Sequence, residues 1–154
     1  MRILDREKIA YEVRTYDVDL DDLSAETVAR KIGLPESQVY KTLLLRGDKT
    51  GCLFAVVAAG TELDPKALAK ASGDKRCELV PLKEVEPLTG YVRGGVTVLG
   101  AKKPFPVFVD ESMLAHEVVS VSPGARGSQL LLAPKDYVRA TKAKVAPITR
   151  LSAA

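Results

Sequence analysis

The chain has 154 residues, 46% hydrophobic and 28% charged, with a formal net charge of +3. That is the size and balance of one compact domain with a sizeable core, spanning residues 1–154, and so mild a charge does not by itself show a nucleic-acid partner. One histidine, His116, and two isolated cysteines, Cys52 and Cys77, match no zinc-ligand, disulfide or dithiol spacing, so no metal, no cofactor and no histidine base are expected, and the thiols read as reduced and core-packed.

Met1 to Lys8 mixes both charge signs and lacks the apolar run of a signal peptide. No stretch approaches the ~18 apolar residues of a membrane span, so the cytosol is the expected compartment. The opening residues predict a short helix, then a strand over Tyr11 to Tyr16 with Tyr11, Val13 and Thr15 on one face. Asp17 to Asp22 is an acidic loop. Ser24 is a good N-cap for a helix over Ala25 to Ile32, which Gly33 stops, with Ala25, Val28, Ala29 and Ile32 as its apolar stripe. This helix is expected beside the opening strand.

Pro35 to Gln38 turns the chain into a strand over Val39 to Arg46, apolar except for a lysine. Alternation puts Val39, Lys41, Leu43 and Leu45 on one side and Tyr40, Thr42 and Leu44 on the other. Withdrawing an unpaired ammonium from water is costly, so Lys41 either snorkels to solvent, finds a carboxylate or waits for a ligand. Cys52 to Ala58 reads as the antiparallel neighbour. Asp64-Pro65 starts a helix with Leu68 and Ala71 inward and Gly73 as terminator. Arg76 to Val80 suggests a strand and Leu82 to Glu86 a short helix.

From Thr89 to Pro104 the texture changes. Gly90, Gly94, Gly95 and Gly100 permit close approach of backbone to a ligand, and Lys102 and Lys103 follow; a bulged, tightly turning segment is the alternative. The spacing is not that of a nucleotide-binding P-loop. Pro106 to Asp110 predicts a strand, Ser112 to Ala115 a short helix, and Glu117 to Val121 another strand. Ser122 to Ser128 forms a second glycine-bearing turn, Leu130 to Leu132 enters the core, and Pro134 opens a final helix carrying Arg139 and Lys142. The interleaving predicts an α/β (α+β) domain with a mixed, mainly antiparallel central sheet flanked by helices.

In order along the chain, Arg14-Thr15-Tyr16, Val39-Tyr40-Lys41-Thr42-Leu43, Gly90-Tyr91-Val92-Arg93-Gly94-Gly95, Val121-Ser122-Pro123-Gly124-Ala125-Arg126-Gly127 and Pro134-Lys135-Asp136 form a set. This set resembles the YbaK/EbsC family, freestanding aminoacyl-tRNA editing domains related to the insertion domain of bacterial prolyl-tRNA synthetase. The likeness runs over about residues 3 to 145. It implies deacylation of mischarged tRNA, with Cys-tRNA(Pro) and also Cys-tRNA(Cys) as substrates. The family lysine falls on Lys41, its tyrosine on Tyr16 and its aspartate on Asp136, and the Lys41-Thr42 pair resembles the cysteine-editing branch. Thr97-Val98-Leu99-Gly100 and Pro123 depart from the usual pattern in two loops.

The chemistry the family implies needs no protein nucleophile: the substrate thiol attacks its own ester carbonyl and leaves as a cyclic thiolactone. Orientation of this kind is worth up to ~7–11 kcal/mol. Backbone N–H groups near Gly94, Gly95 and Gly100 would then hold the oxyanion, with Lys41 as electrostatic anchor. Tyr16, Thr42, Ser122 and Asp136 would orient the substrate. Arg93, Lys102, Lys103 and Arg126 are candidates for tRNA phosphates, with a solvated basic surface as the alternative. The aminoacylated 3′ end of tRNA is the expected partner and prolyl-tRNA synthetase a second one. An editor for Ala-tRNA(Pro) or another small amino acid, and a noncatalytic tRNA- or synthetase-binding module, stay open.

Overall fold

Residues 2–92, 95–99 and 105–151 are described by the computed structural model. In chain order they form α1 (Arg2–Arg6), β1 (Tyr11–Thr15), α2 (Ala25–Ile32), β2 (Tyr40–Gly47), β3 (Gly51–Ala58), β4 (Thr61–Leu63), α3 (Pro65–Ser72) and β5 (Cys77–Leu79). There follow α4 (Leu82–Thr89), β6 (Val107–Asp110), β7 (Val119–Val121), β8 (Ser128–Leu132), α5 (Pro134–Thr141), β9 (Lys144–Ala146) and β10 (Thr149–Leu151). Glu36–Gln38 and Glu111–Ala115 are short 3-10 turns.

The apolar runs at 40–47 and 51–58 pair as an antiparallel hairpin, Tyr40 opposite Ala58 and Gly47 opposite Gly51. Around it a mixed sheet forms in the order β5-β2-β3-β6-β9. Its β3–β6 and β6–β9 pairings are parallel. The other pairings among the described residues are antiparallel, including a three-stranded sheet β1-β8-β7 and the small pair β10-β4. The central sheet is therefore mixed, as expected, and two smaller sheets accompany it.

Alternation along β2 splits the core as the period of two requires. Tyr40 and Leu44 join Phe54, Val56, Val109, Leu130 and Tyr137 on one face. Leu45 joins Leu53, Val57, Leu68, Phe108 and Ile148 on the other. Each fully buried aliphatic side chain contributes about 1.5–3 kcal/mol, so both faces hold the sheet. A third, smaller cluster sets Val28, Ala29 and Ile32 of α2 against Val39 and Ala59.

Helices α2 and α3 keep their expected limits, because the caps named in the sequence are satisfied. The Ser24 side chain accepts from the Thr27 N–H, and Asp64 accepts from the Lys66 and Ala67 N–H groups. Gly33 and Gly73 end these helices in the left-handed region. Two expectations change. Val13 is 52% exposed; it is Arg14 that turns toward α2, donating from Nη1 to the Ile32 carbonyl at 3.0 Å. The last helix stops at Thr141, so Lys142 is its left-handed cap, and Lys144 belongs to β9.

Candidate functional site

Strand β5 covers β2 only from Leu45 to Gly47. Beyond that, the Val80 N–H reaches the Leu44 carbonyl at 3.1 Å, and a single parallel bridge ties Val39 to Ser120. Between these two ties the outer edge of β2 carries no strand among the described residues. Backbone groups in a strand alternate direction, so with Leu44 turned away from β3, the N–H and C=O of Thr42 also face outward.

A cavity of about 580 Å³ opens at this edge. Such a volume suits a small-molecule-sized ligand. Its walls come from the start of α2 (Ser24 to Glu26, and Val28), from β2 (Tyr40 to Leu44), from Leu82 and Val85 of α4, and from Val96, Ser122 and Gln129. Lys41 and Glu26 are the charged side chains among these described lining residues, and neither Cys nor His is among them. The apolar rim stays wet: Leu79 and Leu82 are 62% and 59% exposed.

Four polar groups define the chemistry. Lys41 is half-buried and shares its strand face with Leu43 and Leu45. Glu26 faces the same cavity, its Oε1 accepting the Gly60 N–H at 2.9 Å. Burial pushes the Glu26 carboxyl up, but the Gly60 N–H, its own backbone N–H and the Lys41 charge outweigh this and hold it below the usual carboxylate range. Gln129 is 5% exposed, and its Oε1 accepts the buried Ser120 hydroxyl at 2.8 Å. The Tyr40 hydroxyl is already matched with Ser112 Oγ at 2.8 Å; burial pushes its pKa up.

Beneath Thr42, Tyr137 of α5 is completely buried and its hydroxyl lacks a well-formed hydrogen bond. Burial pushes this phenol up strongly, with the nearby Thr42 side chain acting in the opposite sense. The hydroxyl stays neutral.

The structure brings Lys41, Thr42 and Ser122 to one cavity. Ser122 Oγ also accepts the Gly124 N–H at 3.2 Å, shaping its turn. The two glycine-bearing loops lie against each other. A Cβ on Gly124, whose φ is +111°, would stand 2.7 Å from the Tyr91 ring, and one on Gly95 would stand 3.5 Å from the Arg126 backbone nitrogen. Gly95 is buried and donates its N–H to the Val92 carbonyl at 2.9 Å. Arg93, Gly94, Gly100, Lys102 and Lys103 lie outside the described residues.

Tyr16 and Asp136 are elsewhere. Tyr16 packs on the α2 cluster and lines a separate depression of about 430 Å³ with Thr15, Asp17 and Lys31. Asp136 sits in the first turn of α5, 3.5 Å from Arg139 Nη2. Arg126 is half-buried in the second glycine turn. Glu26 and Gln129 are the cavity residues that the sequence reading passed over. Gln129 interrupts an apolar strand just as Lys41 does, which was a usable signal; Glu26 in a helical first turn reads as ordinary charge complementarity to the helix dipole.

Residues 22–140 match the sequence model of the aminoacyl-tRNA editing domain, and the chain belongs to that family. It is 41% identical, over 97% of its length and 91% of the relative's, to EbsC of Enterococcus faecalis, a protein named provisionally as a Cys-tRNA(Pro)/Cys-tRNA(Cys) deacylase. A crystal structure named, also provisionally, as a trans-editing enzyme for prolyl-tRNA synthetase superposes with a TM-score of 0.80 at 26% identity, covering 91% of this chain and 87% of that one. The hypothetical protein APE2540 shares the fold at a TM-score of 0.87 and 23% identity, with 97% of each chain covered. No helix among the described residues is long and apolar enough to cross a membrane.

Proposed function

We propose that this protein removes cysteine from mischarged Cys-tRNA(Pro), and also from Cys-tRNA(Cys), in the cytoplasm. The observation that carries this reading is the pairing of Lys41 and Thr42 at the open edge of β2, inside a cavity whose described walls hold neither Cys nor His, in a chain 41% identical to EbsC. In this reading the substrate brings the nucleophile. Its sulfur bonds to the ester carbonyl carbon, the carbon–oxygen bond to the tRNA ribose breaks, and the thiol proton ends on the ribose hydroxyl. Cysteine leaves as a cyclic thiolactone that water opens.

In this reading Lys41 anchors the phosphate of the terminal nucleotide. Gly94 and Gly100 supply oxyanion donors, Gly95 shapes the loop because its own N–H is taken by the Val92 carbonyl, and the outward Thr42 N–H is a further donor at the same edge. Thr42 and Ser122 orient the aminoacyl group. Tyr16 and Asp136 act from outside the cavity, on the nucleotides that precede the terminal one. Arg93, Lys102, Lys103 and Arg126 meet tRNA phosphates, and prolyl-tRNA synthetase is the partner that delivers the substrate.

A panel of Cys-, Ala- and Ser-tRNA(Pro), Cys-tRNA(Cys) and S-methylcysteinyl-tRNA(Pro), with and without prolyl-tRNA synthetase, tests this. The two cysteinyl esters should turn over fastest, and the S-methyl ester should be inert. Equal turnover of Ala-tRNA(Pro), or hydrolysis of the S-methyl ester, would refute the thiol mechanism.

A further inference from the structure

Glu26 and Lys41 face one cavity with opposite charges, near enough for the Lys41 charge to help hold the Glu26 carboxyl down, yet they form no ion pair within 4.0 Å. The position of Glu26 is fixed rather than incidental. The turn that carries it is held by Ser24 Oγ on the Thr27 N–H at 3.3 Å and by Asp22, which accepts the Thr27 hydroxyl at 2.5 Å. Its carboxylate is held in turn by the Gly60 N–H. The same cavity is lined by Val28, Val39 and Val96, apolar wall beside the two charges.

A substrate matched to such a cavity carries a cation at one end and an anion at the other. The terminus of an aminoacyl-tRNA has both: an α-ammonium two bonds from the ester carbonyl, and the phosphodiester of the last nucleotide. Acylating the nitrogen removes the cation and puts a carbonyl oxygen in its place. A site built for a polar partner rejects an analogue that lacks it far more strongly than an apolar pocket rejects a misfit.

We propose that Glu26 is a specificity-determining residue that binds the α-ammonium of the aminoacyl ester, restricting the protein to esters with a free amino group and excluding N-acylated aminoacyl-tRNA and peptidyl-tRNA. This rests on the deacylase reading above. An N-acetylated cysteine keeps its thiol and can still cyclise, so the amino group is tested apart from the chemistry.

The experiment compares kcat/KM for Cys-tRNA(Pro) and N-acetyl-Cys-tRNA(Pro) in the wild type and in Glu26→Gln, which keeps an oxygen for the Gly60 N–H. In parallel, calorimetry measures binding of the stable amide 3′-cysteinylamino-adenosine and its N-acetyl form. The wild type should favour the free amine by roughly 100-fold or more in both assays, and Glu26→Gln should lose at least 10-fold of that preference through the free-amine ligand alone. Equal treatment of the two ligands by the wild type, or equal loss on both in a variant that melts like the wild type, would overturn the proposal. If neither ester is cleaved but the amides still divide by amino group, the deacylase reading fails while the amine site stands.

Discussion

The two ends of β2 are one strand treated in opposite ways. From Leu45 to Gly47 it is flanked by β3 and β5, and the turn beyond is closed by carboxylates: Asp74 accepts the Lys49 and Thr50 N–H groups at 2.8 and 2.7 Å and the Ser72 hydroxyl at 2.6 Å. Asp48 likewise accepts the Lys75 and Arg76 N–H groups at 2.8 and 3.0 Å. Between its ties to Ser120 and Val80 the outer edge of β2 carries no strand among the described residues, and it opens on the cavity. Where hydrogen bonding is complete a polar residue holds structure; where it is left incomplete beside a cavity, the residue is available to a ligand.

Four changes probe that contrast, beginning at the open end. Lys41→Ala should lower deacylation at least 100-fold while the melting temperature moves by no more than about 2 °C, as measured by single-turnover assays and calorimetry. Wild-type turnover by that folded variant would remove Lys41 from the site. At the closed end Asp74→Ala should do the reverse: a loss of about 2 kcal/mol, or roughly 4–8 °C in Tm, with little change in kcat.

Acid reaches the two ends through the same linkage. Burial pushes Asp74 up, but the Ser72 hydroxyl and the Thr50 and Lys49 N–H groups dominate and leave it well below the usual carboxylate range. Asp22, bonded to Thr27 and Ser24 ahead of α2, is lowered to about 2. Since the folded values are depressed, their stabilisation is fully present above the ordinary value of 3.8 and disappears as pH falls through the folded ones. Tm should hold from pH 7 to about 5 and drop below about 4, less steeply in Asp74→Ala. A wild-type curve steepest near pH 6 would contradict this. The smallest effect belongs to the thiols: burial pushes Cys77 up, so replacing Cys52 and Cys77 with alanine should leave kcat/KM within about twofold.

What could be read from the sequence follows from range. Caps are local, so Ser24 and Gly33, or Asp64 and Gly73, fix their helices without help from elsewhere. The three-residue strands β4, β9 and β10 carry too little pattern to be seen, because their partners are supplied by distant chain. The site divides the same way. An interrupting lysine in an apolar strand marks Lys41, and Thr42 comes with it, but no local pattern tells that Glu26 turns to the same cavity. Tyr16 lies within reach of the motif set in sequence, yet it lines a depression with Thr15, Asp17 and Lys31, none of which lines the cavity.

The bridge from Val39 to Ser120 joins residues more than half the chain apart, and Gln129 reaches the cavity only once β8 has been laid beside β7. The hairpin of β2 and β3 needs no such wait. Closing long loops costs entropy before it returns contacts, so distant pairings form after local ones. A growing chain therefore sets Lys41 in its hairpin early and completes the surrounding cavity late.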